Sequence, residues 1–286
     1  MRQACACSSV ADYRNDRSAK ILKMKKTPLP TSGSRSRRLT TGTFSFDCHP
    51  GVTCFTRCCK DADMYLYPYD VIRMKNRLGI SSDQFLEQYT FRTIRDNPYF
   101  PSLMLKMTGN DEKWCPFLSI KGCMMYEDRP FSCRAYPIER AVARTGDEIE
   151  RTVLYFIAED SYCKGHKESR DWTINEWIED QHVQLYNDMN DLWVDIDTLF
   201  RANPWGPQGI DNPAFKMAFM ACFNVDEFKK FVFKSTFLSR FNVHRDRVSQ
   251  LQESDVELMK FGFDWVKYFL TGKGPLMRAL SKDAPI

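Results

Sequence analysis

The chain has 286 residues, 43% of them hydrophobic and 14% aromatic, with a formal net charge of +4. That composition is globular rather than disordered and suffices for one large domain or two small ones. It holds no run near 18 apolar residues, so no transmembrane helix is expected.

The charge is unevenly spread. Residues 1–43 carry ten Lys and Arg (Arg2, Arg14, Arg17, Lys20, Lys23, Lys25, Lys26, Arg35, Arg37, Arg38) against Asp12 and Asp16. A tail of +8 therefore precedes a body of −4. Pro28, Pro30, Thr31, Ser32, Gly33 and Ser34 and sparse apolar residues make residues 1–43 read as a disordered basic tail. A solvated leader is preferred over a nucleic-acid or acidic-lipid ligand, because short basic runs are unspecific. The opening, MRQACACSSVADYRNDRSAK, lacks the apolar core of a secretory signal, so a cytoplasmic protein with reduced thiols is expected. Met24 opens MKKTPLP and is a second candidate start; Cys5 and Cys7 belong to the tail and are given no role.

Order is expected from about Phe44. Eight cysteines follow in three groups: Cys48-x5-Cys54-x3-Cys58-Cys59, then Cys115-x7-Cys123-x9-Cys133, then Cys163 followed by His166. Phe46 to Cys59 is too rich in Cys, Gly and Pro for a regular element and reads as a metal-wrapping loop. Pro68-Tyr69-Asp70 starts a helix with Val71, Ile72, Met74 and Leu78 on its apolar side and Gly79 as its stop. Ser81 with Gln84 is a capping box for a second helix lined by Phe85, Leu86 and Tyr89. Pro98 and Pro101 break the chain, and Ser102 to Met107 reads as a short strand. Cys115 to Leu118 and Cys123 to Tyr126 flank a turn at Lys121-Gly122, as in a β-hairpin. Pro130 suits the first turn of a short helix carrying Cys133 and Arg134, and Ile149 to Ile157, after Gly146, is a strand.

From about Asp171 the pattern turns helical. Leu185, Met189, Leu192, Ile196 and Leu199 form the stripe of a long amphipathic helix, with His182 on it, ended by Asn203-Pro204. Asn212-Pro213 starts another, with Phe215, Ala218, Phe219 and Cys222 on one face. Helices are expected over Asp226 to Leu238 and after the box Ser254 and Glu257, the last carrying Leu258, Phe261 and Trp265. The fold class is α+β, mainly helical, divided into a tail at 1–43, a cysteine-cluster domain at 44–168 and a helical region at 169–286.

Thiols at such density in a reducing compartment are metal ligands rather than disulfides, while Cys222, alone on an apolar face, is core. Four thiolates suit Zn²⁺ or a [4Fe–4S] cluster equally. Only Cys54-x3-Cys58 has the spacing favoured by structural zinc, and the looser intervals suit a wider cluster or two sites. Cys58 and Cys59 are adjacent, so their side chains are expected to diverge. Cys48, Cys54, Cys58, Cys59, Cys115, Cys123, Cys133 and Cys163 are the candidate metal ligands, with His166 and His49 as weaker ones. Arg57, Lys60, Arg129 and Arg134 lie near cysteines and would favour thiolates. Arg129 and Arg134 are placed as cofactor-contacting groups donating to sulfur. Tyr126 and Tyr136 pack beside the site, and Pro116, Pro130 and Pro137 fix its turns.

The strings Cys54-x3-Cys58-Cys59, Trp114-Cys115-Pro116-Phe117-Leu118, Gly122-Cys123-Met124-Met125-Tyr126-Glu127-Asp128-Arg129-Pro130 and Cys133-Arg134-Ala135-Tyr136-Pro137 resemble the YkgJ family of cysteine-cluster proteins, a family described as zinc- or iron-chelating. The resemblance covers roughly residues 44–168 and implies metal chelation; the family's usual opening, Cys-x2-Cys-x2-Cys-Cys, is stretched here. It extends distantly to the cysteine-rich part of flagellin lysine N-methylases, which implies a protein-modifying enzyme as the alternative. No glycine-rich nucleotide loop accompanies it. A zinc-stabilised interaction module is the third reading. The expected partner is a metal ion or cluster, with a protein docking on the helical half and neither membrane nor nucleic acid.

Overall fold

The computed structural model describes residues 35–144, 151–274 and 278–279. Residues 1–34 of the expected tail, with Cys5 and Cys7, and the start of the expected strand at Ile149 lie outside the described residues. The class is α+β, with small antiparallel sheets in the first half and helices in the second.

Regular structure begins earlier than Phe44. Strand β1 (Arg35–Arg38) lies within the stretch expected to be tail, followed by β2 (Thr43–Ser45) and β3 (Tyr65–Leu66). Helix α1 (Pro68–Leu78) starts at Pro68, whose missing N–H costs nothing in a first turn. Asp70 accepts the Tyr67 N–H at 2.9 Å, and Gly79 closes the helix in the left-handed region at φ 66°. Helix α2 (Ser82–Tyr89) opens on the reciprocal Ser81–Gln84 box. Strands β4 (Thr90–Thr93) and β5 (Ser102–Leu105) then join β3 in the order β3-β5-β4. Strands β6 (Leu118–Ser119) and β7 (Gly122–Cys123) make the expected hairpin, with its turn at Ile120-Lys121, one residue earlier than expected, since Leu118 pairs with Cys123 and Ser119 with Gly122. Helix α3 (Phe131–Ala135) follows Pro130.

The long strand β8 (Ile138–Arg144) has no counterpart in the sequence reading. It pairs along its whole length with β9 (Arg151–Glu159), to whose other edge β1 adds. Beyond Cys163, β10 (Asp171–Thr173) pairs with β2. A small core forms here from Leu39, Phe44, Phe46, Ile138, Ile157, Trp172 and Trp177, with Cys163 packed against it.

Helix α4 (Ile174–Asp180) is capped by Thr173 and Glu176, and α5 (Val183–Arg201) follows. Its buried face is rotated from the expected leucine stripe: Tyr186, Met189, Trp193, Ile196 and Phe200 point inward, while Leu185 is 47% exposed. The aromatic residues bury more apolar area than the leucines and set the rotation. His182 is not on this helix but precedes it, at φ 50°. Helices α6 (Pro213–Phe223), α7 (Val225–Lys234), α8 (Phe237–Arg240), α9 (Arg245–Glu253) and α10 (Asp255–Thr271) complete the fold. Here α7 and α8 divide the single helix expected over Asp226 to Leu238, and α9 was not anticipated. Helix α10 packs on α1, α5, α6, α7 and α9. Gly262 allows its approach to α6, because a Cβ there would lie 2.6 Å from the Ala221 carbonyl oxygen. Cys222 is 3% exposed in this core, as its apolar face implies. The principal core takes residues from both sides of Cys163, from Leu66 and Phe85 to Phe200 and Trp265. No helix among the described residues is long and apolar enough to cross a membrane.

Candidate metal centre

The first cysteine group sits on a chain of turns pinned at both ends. The Phe46 N–H donates to the Arg170 carbonyl (2.8 Å) and the Asp47 N–H to that of Gly165 (3.1 Å), so the segment before Cys48 is laid against the segment after Cys163. Gly165 is needed for this, since a Cβ would stand 2.5 Å from the Asp47 oxygen and 2.7 Å from the Phe46 ring. The Arg57 N–H then reaches the Cys54 carbonyl (2.8 Å) and the Cys59 N–H that of Thr56 (2.9 Å), with Thr56 left-handed at φ 65°. The resulting short turn presents Cys58 and Cys59 together. Rather than diverging, their thiols interact with each other.

The other two groups are brought to this turn by main-chain contacts. The Cys115 N–H donates to the Cys59 carbonyl at 2.7 Å, and Lys60 bridges to Trp114. The β6–β7 hairpin returns Cys123 toward Cys115, and α3 delivers Cys133, whose Sγ lies 3.7 Å from Met64 Sδ. On the other side the Lys164 N–H points at the Cys54 Sγ, 3.0 Å away, so Cys163 is held beside Cys54. The sulfurs lie within electrostatic reach of one another: Cys48 with Cys54, Cys58 and Cys163, and Cys133 with Cys58, Cys115 and Cys123. Among the described residues no three Cys, His, Asp or Glu side chains converge closely enough to hold an ion as they stand. The thiols are neighbours, and encircling an ion requires rotation about their Cα–Cβ bonds.

Electrostatics explains why this arrangement suits a cation. Burial, with Cys58 and Cys163 adding, pushes Cys48 up to about 11, and burial does the same to Cys115. Cys58 alone is lowered, to about 7, by its contact with Cys59. The buried thiols therefore resist ionising together. The nearby side-chain cations relieve this little: Arg129 draws Cys123 down, but burial outweighs it, and the cations are bonded elsewhere. Lys60 pairs with Glu112 at 2.7 Å and lies over the Trp114 ring. Arg134 donates to the carbonyls of Gln181 (2.7 Å) and Glu127 (2.5 Å). Arg129 bonds Gln181 Oε1 (2.5 Å) and the Tyr126 carbonyl and stacks on the Tyr126 ring, while still within electrostatic reach of Cys123 and Cys133. The two arginines expected to donate to sulfur are thus anchored to the α4–α5 junction.

Two polar atoms fit a bound group. The Tyr136 hydroxyl is buried beside Cys163 and has no hydrogen-bond partner of ordinary geometry. Burial and that thiol push its pKa upward, so it remains a donor that a metal-bound thiolate accepts. His166 Nε2 is likewise buried without a partner, and burial holds the ring below its ordinary pKa and hence neutral. His49 is engaged elsewhere, with Nδ1 accepting the Gly51 N–H at 3.1 Å and Nε2 lying 3.6 Å from the Glu168 carboxylate. The donor set fits a soft cation: clustered thiols with little counter-charge, a main-chain N–H on sulfur and an idle hydroxyl. Sequence reasoning found the thiols, but Lys164 and Gly165 carried no signal, since their roles exist only once distant segments meet.

Residues 47–167 match the family model CxxCxxCC, described as "Putative zinc- or iron-chelating domain", over somewhat less than half of the chain. No curated protein and no solved structure matches the chain.

Proposed function

We propose that this protein binds zinc or an iron–sulfur cluster through its cysteine cluster, and that the bound group acts as a structural tie. The observation that carries this is the meeting of Cys48, Cys54, Cys58, Cys59, Cys115, Cys123, Cys133 and Cys163, from three segments, in one neighbourhood where Arg129, beside Cys123 and Cys133, offers only partial counter-charge. Cys115 and Cys123 pack on the principal core and Cys163 on the small one, so a group bound among them joins the two. Such a group supplies positive charge that turns mutually opposing thiols into stable thiolates, and its binding energy becomes folding energy. The chain's own contribution is orientation: the Lys164 N–H on Cys54 and the Tyr136 hydroxyl at Cys163.

Anaerobic purification followed by metal and acid-labile sulfide analysis tests the reading. Stoichiometric zinc without sulfide, or iron with equal sulfide, supports it and names the group. Protein that folds and carries neither would overturn it.

A further inference from the structure

The eight thiols are more than one tetrahedral ion or one cube needs, and their attachments divide them. We propose that they form two adjacent four-thiol centres, Cys48, Cys54, Cys58 and Cys163 holding one and Cys59, Cys115, Cys123 and Cys133 the other. This rests on the metal-binding reading and deepens it.

Three observations point to this division, each placing part of the set. The first is main-chain attachment. The turns carrying Cys48 and Cys54 are bonded to residues 164–170, through Phe46, Asp47 and the Cys54 sulfur itself. Cys59 is bonded instead to Cys115, and the next pair along, Lys60 and Trp114, extends that contact. The second is packing. Cys163 lies against the small core with Phe46 and Trp172, whereas Cys115 and Cys123 lie against the principal core. The third is mutual proximity: Cys48 is in reach of Cys54, Cys58 and Cys163, whereas Cys59 is in reach of Cys58, Cys115 and Cys133, and Cys133 of Cys58, Cys115 and Cys123, so that Cys58 alone is shared.

Cys58 decides the count. The second set is a complete complement of four without it, and the first is one thiol short. Cys58 sits near Asp160, and Tyr162 is in reach of both Cys58 and Cys163, which places it with the first set. It is also in reach of Cys59, Cys115, Cys123 and Cys133, so the vicinal pair Cys58–Cys59 is the junction between the centres. Four sulfurs satisfy one tetrahedral ion, and each set supplies that number.

Cobalt(II) titration of the reduced, metal-free full chain counts the sites, because tetrathiolate Co²⁺ has a strong sulfur-to-metal charge-transfer band. Wild type is expected to saturate at about two equivalents. Cys54→Ser with Cys163→Ser, and separately Cys115→Ser with Cys133→Ser, are each expected to saturate at about one, with far-ultraviolet dichroism confirming the fold. A wild-type endpoint of one equivalent overturns the division whether or not the variants fold, and leaves metal binding intact. Loss of all sites with either pair, or of none, overturns it as well. Wild type that binds no Co²⁺ sinks the division together with the reading on which it rests.

Discussion

Gly165 and Tyr136 show how much rests on single atoms around the sulfurs. Gly165 is fixed by space, not by backbone conformation, since an added methyl would meet both Asp47 and Phe46. Gly165→Ala is expected to cost about 1–3 kcal/mol in denaturant unfolding, because the two segments flanking Cys48 and Cys163 must separate. Tyr136→Phe removes only the hydroxyl beside Cys163. It is expected to leave the thermal midpoint of the metal-free chain within a few degrees while weakening metal retention about tenfold against a chelator, the usual effect of losing an orienting group. Equal retention in the two proteins would show that the hydroxyl does not serve the sulfur. Neither residue could be assigned this role from the sequence, where Tyr136 reads only as packing and Gly165 carries no signal. The thiols stood out as candidates because eight of them fall between Cys48 and Cys163, a density that ordinary core packing does not call for.

Among the elements, those with chemical punctuation were read correctly and those defined by partners were not. Pro68, Gly79 and the Ser81–Gln84 box mark α1 and α2 because capping is local chemistry. Strand β8 has no such mark, being a strand only because β9 lies beside it, and the face of α5 depends on which neighbours its aromatics meet. Local chemistry is equally silent on the clamp joining α1 and α2 to α7 and α10. There Lys75, 5% exposed, pairs with Asp226 at 3.2 Å and Asp255 at 2.8 Å, and Asp226 also accepts the Ser82 N–H at 2.6 Å. Lys75→Ala leaves two carboxylates facing each other and is expected to cost about 3 kcal/mol. Burial would raise Asp226, but the Ser82 N–H and Lys75 outweigh it and hold the carboxyl below its usual 3.8. Its contribution is therefore present above pH 3.8 and is lost as the pH falls through the lower folded value. Unfolding free energy measured from pH 6 downward should fall in that acid range, and less steeply in Asp226→Asn.

For the whole molecule, metal binding as proposed makes metal content a determinant of stability, because two cores meet through one set of turns. Stripping the metal is expected to lower the unfolding midpoint, and re-addition of zinc or cluster reconstitution to restore it, to an extent that grows with the logarithm of free metal over the dissociation constant. A midpoint unmoved by chelation would show that the bound group does not tie the cores. Both cores meet the thiol region, yet one further contact has its own use. Trp177 is 6% exposed, donates its indole N–H to the Ala135 carbonyl at 2.9 Å and lies edge-on to Phe46, within two residues of Cys133 on one side and of Cys48 on the other. The protein thus contains an intrinsic optical reporter, whose emission maximum and intensity should follow loading and loss of the ion in real time without any added dye.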